Sequence, residues 1–308
     1  MATLTDMINE VSMNLSGYTL QQDRATHITA DVAATASTIA APITLSLAST
    51  DSVGKGVIEI DEELFWVDNY DRVGNTATIA PYGRAYLGTT LAAHTAGTKV
   101  TIAPTFPRFT IKRAINDTIS AIGSSIFAAN TTTITSNSAV SAFRLPTTGT
   151  TLNIRNILAI AYQALGSSKE WIPIRSYRFD GNANSTAFTS GQTVSIYDYI
   201  PSGRSVQVVY STDPTPFTTN AQEFATQTGL PESCKDLVIL GATYRLLSNL
   251  DPARASMVSP QADETDSKRP YGSSQSLTKQ VYALFNQRLN EEVKSQQEKY
   301  PIRVHYSL

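Results

Sequence analysis

The stretch 54–102, GKGVIEIDEELFWVDNYDRVGNTATIAPYGRAYLGTTLAAHTAGTKVTI, constrains the fold more than any other part of the chain. Val57, Ile58 and Ile60, then 64–67, 76–79 and 99–102, are short β-prone runs, each bounded by Gly, Asp, Asn or Pro. Such runs predict a compact antiparallel β module. Val73-Gly74-Asn75 supplies one connection where positive φ is expected, and Gly83 and Gly88 mark two further backbone pivots. Pro104 and Pro107 stop the sheet. Directly afterwards Ile111, Ile115, Ile119, Ile122 and Ile126 recur every three to four residues, which predicts a helix over 110–127.

The remaining chain alternates between the same two kinds of text. Leu4, Ile8, Val11 and Leu15 share one face of a short helix over 3–15, with Thr3 as its N-cap and Gly17 as its stop. Ile43, Leu45 and Leu47 alternate with Thr44 and Ser46 as a strand leading into the β module. The polar, β-branched run 130–138 reads as a linker. A second β-rich region follows to about residue 218, with strands expected at 151–157, 172–179, 192–200 and 204–210. Pro201-Ser202-Gly203 turns between the last two, and 180–184 is a loop tip. The run 153–164, NIRNILAIAYQA, fits strand and helix equally. This region reads as a small antiparallel sandwich. Helical text returns at Leu230 with Pro231 in the first turn, and ends before Pro252. The charged, proline-punctuated 260–271 reads as an exposed linker, and 274–298 as a long helix striped by Leu277, Val281, Leu284, Phe285, Leu289 and Val293.

None of these one-sided helices has enough surface to be stable alone. Their stripes predict an α+β protein: a helical bundle core made of 1–18, 105–130 and 219–299, carrying a first β-rich insertion at 19–104 and a second at 131–218. The C-terminal residues Tyr300, Pro301, Ile302, Arg303, Val304, His305, Tyr306, Ser307 and Leu308 differ from the helix before them. Pro301 breaks the helix, and Ile302, Val304 and Tyr306 alternate with Arg303, His305 and Ser307 in strand periodicity. Extended, such a tail reaches about 30 Å. Its backbone would be satisfied by adding to another chain as an edge strand or by returning to its own sheet; the remaining alternative is a frayed terminus.

Composition narrows the chemistry. The 308 residues carry a net charge of −2 with only 16% charged residues, so no strongly basic face for nonspecific DNA binding is expected. One cysteine, Cys234, excludes an internal disulfide and reads as a small buried residue of a helix. Neither a signal-peptide pattern nor an apolar run of about 20 residues occurs, which predicts a soluble cytoplasmic product without membrane contact. No phosphate loop, dinucleotide fingerprint or nucleophile elbow is present, and no catalytic residue, metal ligand or cofactor site is assigned. Asp61, Glu62 and Glu63 are three consecutive acids that cannot all converge, since consecutive strand residues point to opposite faces, so they read as a turn or solvated edge. His94 reads as a structural histidine holding its loop through a local carbonyl; His27 and His305 are equally isolated. Arg84 is the candidate partner for a carboxylate of the same module. Trp66, Trp171, Tyr177, Tyr197 and Tyr199 read as core or interface aromatics on strands.

Two of these stretches carry a resemblance. The glycine-led strand, the "IDEE" turn, "WVDNYDR" and "YGRAYLGTTLAAHTAGTKV" are similar to a β module of tailed-bacteriophage structural proteins, and 234–255, CKDLVILGATYRLLSNLDPARA, resembles the helix and turn of head-to-tail adaptors that ring the portal. The resemblance implies a non-enzymatic virion protein at the head-tail junction, assembled in the host cytoplasm as a homo-oligomeric ring, a dodecamer matching the portal. Its implied partners are the portal protein, reached by residues 300–308, and a stopper or other tail-completion protein; DNA would only pass through the lumen. The alternative is a glycan-binding, decoration or tail structural protein of a phage virion. An enzyme acting on glycans would need two carboxylates at a fixed separation, for which no pair stands out.

Overall fold

Apolar–polar alternation becomes strand pairing in three antiparallel sheets of the computed structural model, which describes residues 2–19, 23–35, 37–137, 140–145, 154–165, 169–184, 186–248 and 273–301. Its contacts divide the chain into two compact units. One comprises Thr5–Ile115 and Ile239–Val281; the other comprises Met1–Leu4, Asn116–Val238 and Tyr282–Leu308.

The first unit is built around six short strands: β1 (Arg24–His27), β2 (Ile43–Ser46), β3 (Gly56–Ile60), β4 (Glu63–Asp71), β5 (Thr76–Ile79) and β6 (Lys99–Ile102). They lie in the order β1-β6-β3-β4-β5-β2, every neighbouring pair antiparallel. The two outer strands then meet. Ile28 bridges Leu47, the Thr29 N–H donates to the Ser46 carbonyl at 2.9 Å, and the Ala48 N–H donates to the His27 carbonyl at 2.9 Å. The sheet thereby closes on itself as a small barrel, which removes its free edges. Asp68, skipped in the β4–β5 register between Val67 and Asn69, is the bulge that adds twist. Ile28, Leu45, Leu47, Ile58, Ile60, Phe65, Val67, Ala77, Ile79 and Val100 fill the interior. At the 73–75 turn Asn75 takes the positive φ (50°), and its side-chain carbonyl accepts the Thr50 N–H.

The second unit holds two facing sheets. β7 (Ala128–Thr135), β9 (Ile154–Gln163), β10 (Trp171–Pro173) and β13 (Ser205–Thr212) pair in the order β10-β9-β13-β7; β8 (Ala142–Arg144), β11 (Tyr177–Asp180) and β12 (Thr193–Ile196) pair in the order β11-β12-β8. Inward residues of both, among them Ile134, Ile160, Val206, Val208 and Tyr210 from one sheet and Val194 and Ile196 from the other, form one core. The sandwich expected from the sequence is therefore present, with three revisions. Residues 130–135, read as linker, belong to β7, which pairs along its whole length with β13. The ambiguous run is strand over Ile154–Gln163. The single strand expected at 172–179 divides into β10 and β11, which lie in different sheets. Its corner is held by the Asp198 carboxylate, which accepts the Arg175 and Ser176 N–H groups at 2.8 and 3.1 Å.

Helices accompany the sheets: α1 (Leu4–Thr19), α2 (Ser37–Ala40), α3 (Arg108–Ile122), α4 (Phe224–Thr228), α5 (Lys235–Ser248) and α6 (Ser273–Lys299). The expected helical-bundle core is not what the structure shows. The protein is mostly β, a mixed fold of three antiparallel sheets with helices, and each of the two apolar cores described above is built by strands. The physical reason lies in what a stripe specifies. Leu4, Ile8, Val11 and Leu15 of α1 and Ile111, Ile115, Ile119 and Ile122 of α3 are buried as their periodicity requires, but a one-sided helix needs a cover, not another helix. The long α6 is not apolar enough to seed a bundle. Leu284 of its expected stripe is exposed, and its covered line continues from Val281 and Phe285 to Glu292. Residues 249–272 and 302–308, including the linker expected at 260–271 and most of the C-terminal tail, lie outside the described residues.

Candidate functional site

The densest polar chemistry lies beside the barrel core. Asp61 and Glu62 form the β3–β4 turn, where Asp61 takes a left-handed conformation (φ 54°), and Glu63 opens β4. A turn breaks the strand alternation that was expected to separate the acids, so Asp61 and Glu63 converge on one imidazole. His94 Nδ1 lies 2.8 Å from Asp61 Oδ2, and its Nε2 lies 3.0 Å from Glu63 Oε2. On the far side of Glu63, Arg84 grips the same carboxylate with both arms, Nε to Oε1 at 3.0 Å and Nη2 to Oε2 at 2.9 Å. The Ala85 and Ala92 N–H groups each donate to Glu63 at 3.0 Å. Arg84 also donates to the Ala33 and Ala92 carbonyls at 2.5 and 2.6 Å, and lies over the Phe65 ring at 5.1 Å. The expected carboxylate partner of Arg84 is thus Glu63. The His94 ring holds its loop through two carboxylates; its backbone pairs with Val32 at 2.8 and 2.9 Å.

This cluster is sealed. The side chains of Glu63 and Arg84 are 0% exposed and that of His94 is 1%; Asp61, at 63%, is its one contact with solvent. Burial by itself pushes Glu63 up, but the hydrogen bonds from His94, Arg84, Ala92 and Ala85 outweigh it and hold the carboxyl at about 2. Burial likewise lowers His94, and its bonds to Glu63 and Asp61 reverse that and raise it above its ordinary value. An imidazolium with both N–H groups donating has no lone pair for a metal or a substrate proton. With Arg84 it balances the two carboxylates. The cluster therefore acts as a clamp on residues 82–97, where Tyr82, Ala85 and Leu87 all hold positive φ at 58°, 49° and 55°. Among the described residues no group of three or more His, Cys, Asp and Glu is arranged to hold a metal ion.

In the second unit a cavity of about 340 Å³ is bounded by Phe127, Leu230, Cys234, Glu292, Lys299 and Tyr300 among others. Cys234 sits in the 3-10 turn Glu232–Cys234 that precedes α5 and is fully buried. Glu292 Oε2 accepts from Ser233 Oγ at 3.2 Å and lies 3.6 Å from Cys234 Sγ, while its Oε1 accepts from Arg288 at 2.9 Å. Gln296, one turn on, binds both backbone groups of Phe127, accepting its N–H at 3.1 Å and donating to its carbonyl at 2.7 Å. Polar side chains four residues apart thus seat the end of α6. That i, i+4 line was visible in the sequence but is silent to a search for apolar stripes.

Burial pushes the Cys234 thiol up to about 12, and the neighbouring Glu292 charge adds to the effect. Cys234 is therefore expected to react with iodoacetamide at pH 8 at least tenfold more slowly in the native protein than in denaturant, as read by mass spectrometry. Equal rates would mean that this end of α6 does not cover the thiol.

Of the expected docking residues, Tyr300 is half-buried with its ring 5.8 Å from that of Phe127, and Pro301 is exposed. Ile302, Arg303, Val304, His305, Tyr306, Ser307 and Leu308 lie outside the described residues. Of the aromatics, Trp66 stacks obliquely on Tyr86 at 5.3 Å, whereas Tyr197 and Tyr199 are well exposed. No described helix is long and apolar enough to cross a membrane. The chain matches no protein-family model and no curated protein.

Proposed function

We propose that this chain is a structural subunit of a tailed-phage virion, a head-to-tail adaptor that works as a ring of identical copies between the portal and the next neck or tail protein. One observation carries the reading. The residues of the "IDEE" and "YGRAYLGTTLAAHTAGTKV" text, on which the resemblance to phage structural proteins rests, direct their functional groups at one another: Glu63, Arg84, Ala85, Ala92 and His94 close a clamp inside the module. A motif of that kind encodes architecture, as an assembly protein requires, and its chemistry is used up in holding a shape. The C-terminal segment supplies the contact. Gln296 and Tyr300 anchor the end of α6 on Phe127, and in this reading residues 302–308 leave that anchor to engage the portal.

Deleting 302–308 tests this directly. The truncated protein is expected to keep its circular dichroism spectrum and unfolding midpoint, since Tyr300 is retained, and to lose association with portal rings in sedimentation and electron microscopy. Normal docking of the truncated protein would overturn the role given to the tail. The exposed Tyr197 and Tyr199 favour a second reading, a glycan-binding surface on the sandwich. Saccharide binding by the purified chain that is lost in a Tyr197→Ala, Tyr199→Ala variant would select it over the adaptor.

A further inference from the structure

Ile58 and Ile60 face the barrel interior, so strand alternation turns Glu59 to the outside of β3. Outside does not mean exposed here: Glu59 is only 3% accessible. The backbone N–H of Arg108, the first residue of α3, donates to Glu59 Oε1 at 2.6 Å, so this carboxyl caps the helix from a different element. The groups around it offer little compensation for a negative charge. Its partners across the sheet are Leu64 on β4 and Thr101 on β6, both uncharged. The Arg108 guanidinium turns away to Asn9 Oδ1 at 2.9 Å, and Lys112, one turn further along α3, is bound to Glu62 at 3.0 Å. The other charges that bear on it, Asp23 and Glu62, are carboxylates themselves.

We propose that Glu59 is a proton-operated latch between β3 and the first turn of α3, closed when the carboxyl is neutral and loosened when it ionises. The Arg108 N–H and the helix N-terminus by themselves favour the anion, but one hydrogen bond does not replace the water lost by a carboxylate that is 3% accessible, so the ionised group favours an opening at this contact that readmits water. In keeping with this, burial pushes the group up to about 7 despite the Arg108 hydrogen bond and charge. Between the ordinary value of 4.5 and about 7 the folded chain holds a proton that the unfolded chain has released. Stability from this group is therefore highest below 4.5, declines as pH rises to about 7, and is flat beyond. The latch does not depend on the adaptor reading.

The test compares the full chain with Glu59→Gln, which keeps an oxygen acceptor and cannot ionise, at pH 5 and pH 8. The unfolding constant of the unsubstituted chain is expected to rise relative to that of the variant by roughly a hundredfold between the two pH values. Amide hydrogen exchange at Arg108 and Ile111 should be faster than in the variant at pH 8 and equal at pH 5. A stability ratio that stays constant with pH, or an exchange difference spread over the chain, would overturn the latch. Carbon-13 NMR of the glutamate carboxyls in the unsubstituted chain gives an answer even if the variant fails to fold: a Glu59 titration near 7 supports the proposal, and one near 4.5 sinks it.

Discussion

Arg84→Met is expected to lower the stability of the barrel unit by about 3–5 kcal/mol, because it leaves a buried carboxylate without its cation. Methionine fills much of the arginine stem's volume, so the loss reports charge and hydrogen bonding rather than a cavity. Glu63 loses its two-armed partner, and the carbonyls of Ala33 and Ala92 lose their donor. Denaturant unfolding followed by Trp66 fluorescence would measure it. A double-mutant cycle with Glu63→Gln should give a coupling energy of about 2–3 kcal/mol, since the two side chains touch and share the same neighbours.

The pH profile adds an independent check. Glu63 is depressed from 4.5 to about 2, so its contribution is present above 4.5 and is lost as pH falls through about 2. His94 is raised above 6.5, so its contribution is present below 6.5 and is lost as pH climbs through the higher folded value. The clamp is strongest between these limits, and Arg84→Met should flatten the acid limb first. An unchanged acid limb together with a loss under 1 kcal/mol would show that the cluster is not what holds the loop.

Gly83→Ala is the second large effect, expected at about 3 kcal/mol, the upper range for forcing atoms into packed structure. Its added methyl would lie 2.8 Å from the Ala80 carbonyl oxygen and 2.9 Å from that of Trp66, contacts that only backbone movement can relieve. Those oxygens belong to a tight set of bonds: Gly83 N–H to Ala80 at 2.8 Å, Ala80 N–H to Trp66 at 3.1 Å, and Trp66 N–H to Gly83 at 2.7 Å. Moving them also moves Arg84, the next residue, off Glu63. Gly54→Ala is the matched control. Nothing stands within 4 Å of its added methyl, and its change should stay within about 0.5 kcal/mol. Equal midpoints for the two variants in urea would contradict the close approach at Gly83.

What was legible in the chain was local. Alternation at 43–47 placed β2, β-prone runs bounded by turn residues placed β5 and β6, and threefold-to-fourfold spacing placed α1 and α3, because these signals depend on side chains a few residues apart. The burial of Cys234 and the pairing of Arg84 with a carboxylate were also readable, since a lone thiol and a lone cation beside acids have few outcomes. β7 was missed because NTTTIT has the composition of a linker; its partner strand β13 lies some seventy residues away in the chain and decides the matter. For the acids 61–63 the expected turn is present at Asp61 and Glu62, whereas the burial of Glu63 and its meeting with Asp61 at His94 went unread, because one left-handed residue, Asp61, reorients what its neighbours present.

The sequence by itself therefore determined which segments pair or coil, and which of their faces must be covered. Only the tertiary structure decided what covers them. Ile28 meeting Leu47 turns a sheet into a barrel, and Glu63 becomes the centre of a charge cluster whose Arg84 and His94 are 21 and 31 positions away. The reason is physical: periodicity records that a surface avoids water, a property of one segment, whereas closure, charge pairing and helix capping are relations between segments whose distance along the chain carries no trace of their distance in space.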